Sequence, residues 1–185
     1  MPIDKQTTSP QLTLTLIAGL PGAGKTTLAN HLGQELNWLV FHREIIRDAL
    51  LESKESIILE MKEDSASWIA YDVFLKQVKN ILVDQRISII LDCPARPPFV
   101  LDYITAIANV AQAKLKIVFC NVDNVVRTNR LWARTTNTAY SPFNVLTAIP
   151  EDLHTFKHFP NETFKLDTNR PLEECVREAK KYILN

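Results

Sequence analysis

The chain is poor in the features that would mark several common protein classes. Three cysteines (Cys93, Cys120, Cys175) stand far apart in 185 residues, with no CxxC pair. That excludes a disulfide framework and a cysteine-based zinc site, and it suits free thiols in a reducing cytoplasm. Net charge is missing too, because 21 Lys and Arg cancel 21 Asp and Glu. A neutral chain has no overall field to hold nucleic acid or an anionic membrane. No run approaches the roughly 18 apolar residues of a membrane span, and the opening MPIDKQTTSP has no signal-peptide core. Glycine is the scarcest informative residue. There are four (Gly19, Gly22, Gly24, Gly33), and three of them lie within one hexapeptide. Glycine permits positive φ and close backbone approach to a ligand, so a chain that spends it in one loop marks that loop as special.

What is present is a globular composition, 46% hydrophobic and 23% charged, of a length for one domain. Strand and helix patterns alternate along it. QLTLTLIA (11–18) alternates and then becomes apolar, as a buried strand does. Leu28, Leu32 and Leu36 form a helical stripe. Residues 38–41 read as a strand and 43–51 as a helix. Residues 52–64 read as a helix end plus a mobile loop. Residues 65–83 repeat apolar side chains at 66, 69, 70, 73, 74, 78, 81 and 82 and read as a helix. Ile87–Leu91 and Leu115–Cys120 read as strands. Pro97 and Pro98 open a helix to about Ala111. Asp123 caps one to about Arg134. Residues 150–156 read as a short helix, 164–166 as a last strand and 171–183 as a last helix. Trp38, Trp68 and Trp132 read as core. The pattern predicts an α/β domain with a mostly parallel sheet covered on both faces.

Gly19-Leu20-Pro21-Gly22-Ala23-Gly24-Lys25-Thr26 is G-x-x-x-x-G-K-T, placed between a predicted strand and a predicted helix. In such a loop backbone N–H groups and a helix N-terminus converge on phosphate oxygens. Lys25 reaches the β- and γ-phosphates, Thr26 offers a hydroxyl to Mg²⁺, and Thr27 supports the α-phosphate side. Ile89-Ile90-Leu91-Asp92 is an apolar strand ending in a carboxylate, the second position such sites use to hold Mg²⁺. Cys93, next to it, reads as an inert strand-end thiol. His42 and Arg43 flank the acceptor side of this site, and Arg96 faces the crevice at the strand ends. Arg127, Arg130 and Arg134 share one helix face by spacing. His31, His154 and His158 have no ligand spacing.

An Asn-Lys-x-Asp guanine reader is absent; Asn121-Val122-Asp123-Asn124 lacks the lysine. A small stand-alone domain of this kind points to a kinase. The segments GLPGAGKTTLA (19–29), HREIIRDAL (42–50), LVDQRISIILDCPA (82–95), VDNVVRTNRLWAR (122–134) and LDTNRPLEECV (166–176) resemble the small phosphate-loop kinases. That group includes polynucleotide 5′-hydroxyl kinases, zeta-toxin-like kinases and chloramphenicol phosphotransferase-like enzymes, many known only as AAA-family ATP-binding proteins. The resemblance implies a three-layer domain with a five-stranded parallel sheet in the order 2-3-1-4-5. It implies ATP as donor. It places Glu44 at the position of an acceptor-activating Asp in an Asp-x-x-Arg, with Arg47 as the acceptor-contacting arginine; Glu for Asp is a departure from the pattern. It implies that Arg130 and Arg134 belong to a lid over residues 123–142 and clamp the transferring group. It puts Thr168 near the adenine.

The expectation is therefore one domain over residues 1–185. It should carry out ATP- and Mg²⁺-dependent phosphoryl transfer to a hydroxyl acceptor, either a nucleic-acid 5′-hydroxyl or a small metabolite or antibiotic. Net charge gives the nucleic acid no support. The rival is a nucleotide-binding switch with slow ATP hydrolysis and no small acceptor. No membrane partner is expected, and the oligomeric state is not legible.

Overall fold

The computed structural model describes residues 11–52, 63–137 and 156–185, with the side chains of 63–64 and 134–137 outside that description. Its elements are β1 (Thr13–Gly19), α1 (Lys25–Leu36), β2 (Leu39–His42), α2 (Arg43–Glu52), α3 (Glu63–Lys79), β3 (Ile89–Asp92), α4 (Pro98–Ala111), β4 (Lys114–Asn121), α5 (Asn124–Asn137), β5 (Phe164–Asp167) and α6 (Leu172–Leu184). A π-helical turn, Asn80–Asp84, extends α3. The five strands form one sheet in the order β2-β3-β1-β4-β5, and each neighbouring pair is parallel. This is the expected three-layer fold and the expected order.

The period of two along the strands separates two cores. Leu14, Leu16 and Ala18 of β1, Ile89 and Leu91 of β3, and Ile117 and Phe119 of β4 join α3 and α4 on one face. Ile17, Ile90, Val118 and Cys120 join α1 and α6 on the other. Register then decides what meets at the functional end. Ile17 pairs with Asp92, and Asp92 pairs with His42. Those three residues lie in one row, and side chains in a row of paired strands project to the same face.

Helix ends follow local chemistry. Asn37 closes α1 at φ 53°, and the N–H of Trp38 donates to Gly33 O at 3.0 Å. Gln112 closes α4 at φ 53°, with Ala113 N–H on Ala108 O at 2.8 Å. Left-handed residues of this kind end helices by satisfying their last carbonyls. Gly33 shows why a fourth glycine exists outside the loop. A Cβ there would lie 2.4 Å from Val40 Cγ2 and 3.2 Å from Trp38 O, so only glycine lets α1 settle against β2.

Two expectations need revision. The buried stripe of α3 runs through Ala66, Ala70, Tyr71, Phe74, Leu75 and Val78, while Ile69 and Val73 are exposed. The stripe is turned towards Tyr71 and Leu75 because this helix packs against both α2 and α4. Trp68 (56% exposed) and Trp132 (47% exposed) are surface residues, and Trp38 alone packs against a core. The expected loop at 53–62, the short helix at 150–155 and His154 lie outside the described residues.

Gly33→Ala gains helix propensity of about 1 kcal/mol but overpacks the α1–β2 contact by about 1–3 kcal/mol. The expected result is a lower melting temperature by calorimetry, with part of the loss recovered in Gly33→Ala/Val40→Ala. An unchanged or higher melting temperature in the single variant would show that the contact is loose.

Candidate active site

The loop between β1 and α1 takes its shape from three glycines. Gly19 has φ 138°, Gly22 has φ 80° and Gly24 has φ 85°. Gly22 is also pinned sterically. A Cβ there would lie 3.0 Å from Arg127 Cγ, from Arg127 O and from Leu131 Cγ. Helix α5 therefore rests directly on the loop. Gly24 is the residue before α1, and Leu28 N–H donates to its carbonyl at 3.0 Å. The first N–H groups of α1 remain available, as at every helix start.

Lys25 Nζ donates to Leu20 O at 3.0 Å, so the lysine closes back over its own loop. Burial holds its ammonium below the usual lysine range. The charges of Asp92 and Glu44 oppose that shift, and the charge of Arg96 adds to it. Asp92, Glu44 and Arg96 thus all lie within electrostatic reach of Lys25.

Thr168 fastens the loop to the sheet. Its hydroxyl is shared between Ala23 O and Asn121 O, each at 2.9 Å, and its N–H donates to Asn121 O at 2.8 Å. Its carbonyl accepts Arg130 Nη2 at 2.8 Å. Arg130 Nη1 lies 3.6 Å from the place a Cβ on Gly24 would take. The residue expected beside the adenine is therefore a buried staple, and it also seats an α5 arginine over the loop. Arg127, which shares the helix face of Arg130 and Arg134 by spacing, is buried against Gly22. Arg134 lies in α5, but its side chain is outside the described residues.

Asp92, buried at the end of β3, is the meeting point of three elements. Its Oδ2 accepts the Thr26 hydroxyl at 2.6 Å and lies 2.9 Å from His42 Nδ1. The β2–β3 register puts the His42 side chain there. His42, expected to flank the acceptor side, lies against the carboxylate. Two hard oxygens, one anionic, suit Mg²⁺, which takes few protein ligands and completes its shell with phosphate oxygens and water. No cluster of three or more His, Cys, Asp or Glu side chains that could hold a metal occurs among the described residues.

The start of α2 supplies the opposite wall. Glu44 Oε1 takes Arg43 Nη1 at 2.7 Å, and Oε2 takes Arg47 Nη1 at 2.5 Å. Arg47 also binds Asp48 Oδ1 through Nε and Nη2. Arg43 turns inward and is 4% exposed. Its Nη2 donates to Ser67 O at 3.1 Å, and its guanidinium lies 4.2 Å above the Tyr71 ring. It is a pillar joining α2 to α3 rather than an edge of the crevice. Burial pushes the Cys93 thiol up to about 12, which agrees with an inert residue. Thr27 is exposed on the first turn of α1, and its carbonyl lies 2.9 Å from His31 Nδ1.

Comparison with known proteins agrees with the fold. A family model for an AAA domain matches residues 14–155. A search of curated proteins finds no match. Among solved structures, a protein from Chloroflexus aurantiacus J-10-fl with a proposed kinase assignment aligns at 16% identity and TM-score 0.70, over 93% of this chain and 96% of that one. A gluconokinase from Sinorhizobium meliloti 1021 aligns at 18% identity and TM-score 0.60, over 95% and 93%. The APS kinase of Mycobacterium tuberculosis, in complex with AMPPNP and APS, aligns at 15% identity and TM-score 0.63, over 96% and 100%. The fold is shared over nearly the whole length of each.

Gly22→Ala and Gly24→Ala both place an L-residue at positive φ, a penalty of about 1–2 kcal/mol. Only at Gly22 does the new Cβ also press on α5. The expected result by titration calorimetry is a larger loss of ATP-analogue affinity, and a larger fall in melting temperature, for Gly22→Ala than for Gly24→Ala. Equal effects would show that α5 does not constrain the loop.

Proposed function

The chain belongs to the AAA domain family matched over residues 14–155, and from that premise we propose that it transfers the γ-phosphate of ATP, with Mg²⁺, to a hydroxyl acceptor. The observation that carries this reading is the joining of Thr26 Oγ1 to Asp92 Oδ2 at 2.6 Å on the lip of the phosphate loop. A carboxylate brought by a neighbouring strand to the hydroxyl that follows the loop lysine suits a nucleotide-bound metal. The printed names of the structural relatives, a gluconokinase and an APS kinase holding both AMPPNP and APS, support a site for a donor nucleotide and a second substrate.

In this reading the loop N–H groups from Gly19 to Gly24 and the start of α1 bind the phosphates. Thr27 completes the α-phosphate side. Lys25 leaves the Leu20 carbonyl for the β- and γ-phosphate oxygens, and the phosphates favour the charge that burial disfavours. Thr26 and Asp92 hold Mg²⁺, which when bound neutralises phosphate charge. Arg130 and Arg134 belong to the segment that closes over the nucleotide and offset the charge of the moving phosphoryl group. Thr168 acts by seating Arg130 and the loop.

Glu44 has both oxygens engaged by guanidinium groups, which fixes the carboxylate in place. Held there, Glu44 is the group that accepts the proton of the acceptor hydroxyl as the phosphoryl group is transferred. A carboxylate has about four acceptor sites, so Glu44 retains capacity for the acceptor hydroxyl. Arg47 and Arg96 orient the rest of the acceptor. A cytoplasmic setting belongs to the same reading, supported by three free, buried cysteines. No described helix is long and apolar enough to cross a membrane.

The test is transfer of label from γ-labelled ATP with Mg²⁺ to a panel of hydroxyl compounds: nucleosides, sugars, sugar nucleotides, aminoglycoside and phenicol antibiotics, and 5′-hydroxyl RNA and DNA. One acceptor should become labelled. Lys25→Ala should reduce transfer about 10²–10³-fold, as loss of a transition-state charge partner does. Glu44→Gln should lower kcat by about 10²-fold or more with a smaller change in KM. Label appearing only as free phosphate, at one rate with every compound, would replace this reading with that of a nucleotide switch.

A further inference from the structure

We propose that Arg43 and Tyr71 are positioning residues for phosphoryl transfer. The Tyr71 ring and the Ser67 carbonyl lock the Arg43 guanidinium, and Arg43 in turn fixes the Glu44 carboxylate from outside its own helix. The inference rests on the reading of Glu44 as the group that takes the acceptor's proton. Arg43 and Glu44 open α2, directly after His42. His42 Nδ1 lies 2.9 Å from Asp92 Oδ2, and the same oxygen accepts the Thr26 hydroxyl. The first turn of α2 thus follows at once on the residue that meets the carboxylate at the phosphate loop.

The two arginines that hold Glu44 do so from different frames. Arg47 takes Oε2 from one turn along α2, and it also binds Asp48 of the same helix. If α2 shifted as a unit, Arg47 and Glu44 would move together, so their bond does not register the carboxylate against the rest of the protein. The Arg43 bonds do. Nη1 takes Glu44 Oε1 at 2.7 Å, while Nη2 donates to Ser67 O of α3 at 3.1 Å. The guanidinium lies 4.2 Å from the centroid of the Tyr71 ring, also of α3, and Tyr71 meets Phe99 of α4 edge-on at 6.0 Å. A planar guanidinium with two directed Nη bonds and one face on a ring is held in a single orientation. Through it the carboxylate is registered to α3 and α4.

This is more chemistry than folding needs at such a place. Burying a guanidinium costs solvation, and well-packed apolar side chains of like volume commonly stabilise a protein as much or more. Among the described residues Arg43 Nε is buried with no hydrogen-bond partner, a cost that protein interiors generally avoid. The orientation therefore serves the two Nη bonds and the ring face at the expense of Nε. An apolar residue here could fill the space against Tyr71. It could not aim a bond at a carboxylate that remains 34% exposed. In the reaction the acceptor oxygen bonds to the γ-phosphorus, the bond from that phosphorus to ADP breaks, and the hydroxyl proton passes to Glu44. A misplaced carboxylate slows that step and leaves nucleotide binding untouched.

The test is a double-mutant cycle on Arg43→Met and Glu44→Gln in the full chain. It is read with γ-labelled ATP and Mg²⁺, as transfer to the compound that the wild type labels and as labelled phosphate released to water. Arg43→Met keeps an unbranched stem against Tyr71 and removes the guanidinium. It should lower kcat about tenfold or more, with AMPPNP affinity and KM for ATP within about twofold of wild type. In the Glu44→Gln background the same change should cost less than about twofold more, because Arg43 acts through Glu44. Melting temperature should hold or rise. Tyr71→Leu should lower kcat, and Tyr71→Phe, which keeps the ring face, should stay within about threefold of wild type. Losses that multiply in the double variant would overturn the proposal and leave Arg43 a structural residue. Wild-type kcat in Arg43→Met would overturn it too, with phosphoryl transfer intact. Should Arg43→Met not fold, the Tyr71 pair decides, and equal kcat in Tyr71→Leu and Tyr71→Phe would overturn it. If the wild type labels no compound, the phosphotransferase reading falls and phosphate release decides alone. Non-additive losses in the cycle would then uphold the positioning of Glu44 with water as acceptor, and unchanged release would overturn it.

Discussion

One carboxylate oxygen organises the functional end of this molecule. Asp92 Oδ2 takes a hydroxyl from the first turn of α1 and faces an imidazole from the end of β2. Those contacts exist because parallel pairing aligns Ile17, Asp92 and His42 in one row. A slip of one residue in β3 would turn Asp92 to the opposite face and put Cys93 or Leu91 in its place. The two cores on either side of the sheet oppose such a slip, since each needs every second side chain of β3. The packing that stabilises the fold therefore also sets the position of the acid.

The phosphate loop is held from outside as much as by its own glycines. Thr168 ties it to β4 and to the turn after β5, and α5 presses on Gly22. A loop that must receive a highly charged ligand gains from such support, because its N–H groups are then aimed before the ligand arrives. Across the crevice Glu44 is fixed by two arginines, and Arg43 roots that pair on Tyr71 and Ser67. The loop is thus held by a buried hydroxyl and a packed helix, and the Glu44 side by ion pairs.

Much of this was legible in the residues, and the boundary is physical. Glycine economy and the G-x-x-x-x-G-K-T spacing located the loop, since its geometry is local. Asp92 was legible as an apolar strand's final acid. Strand order came from family resemblance, and the sheet agrees with it. What escaped depends on tertiary neighbours. Nothing local in the sequence shows that Arg43 is buried against the Tyr71 ring while Arg47 reaches Asp48. Arg127 looked the least important of three arginines, but glycine at position 22 leaves room for it. Trp68 sits among apolar residues at helical spacing, and only the turn of α3 towards Tyr71 and Leu75 leaves it outside. The need for glycine at 33 comes from Val40, which lies against it only in the folded chain.

The account's central claim is that Thr26 and Asp92 are where a metal-bound nucleotide is assembled. The direct measurement is calorimetric binding of AMPPNP to the wild type and to Asp92→Asn, each with and without Mg²⁺. The account predicts that Mg²⁺ strengthens binding to the wild type, that this gain is lost in Asp92→Asn, and that binding without Mg²⁺ is similar in the two. Equal Mg²⁺ dependence in both proteins would contradict it, because the carboxylate at the end of β3 would then have no part in holding the metal.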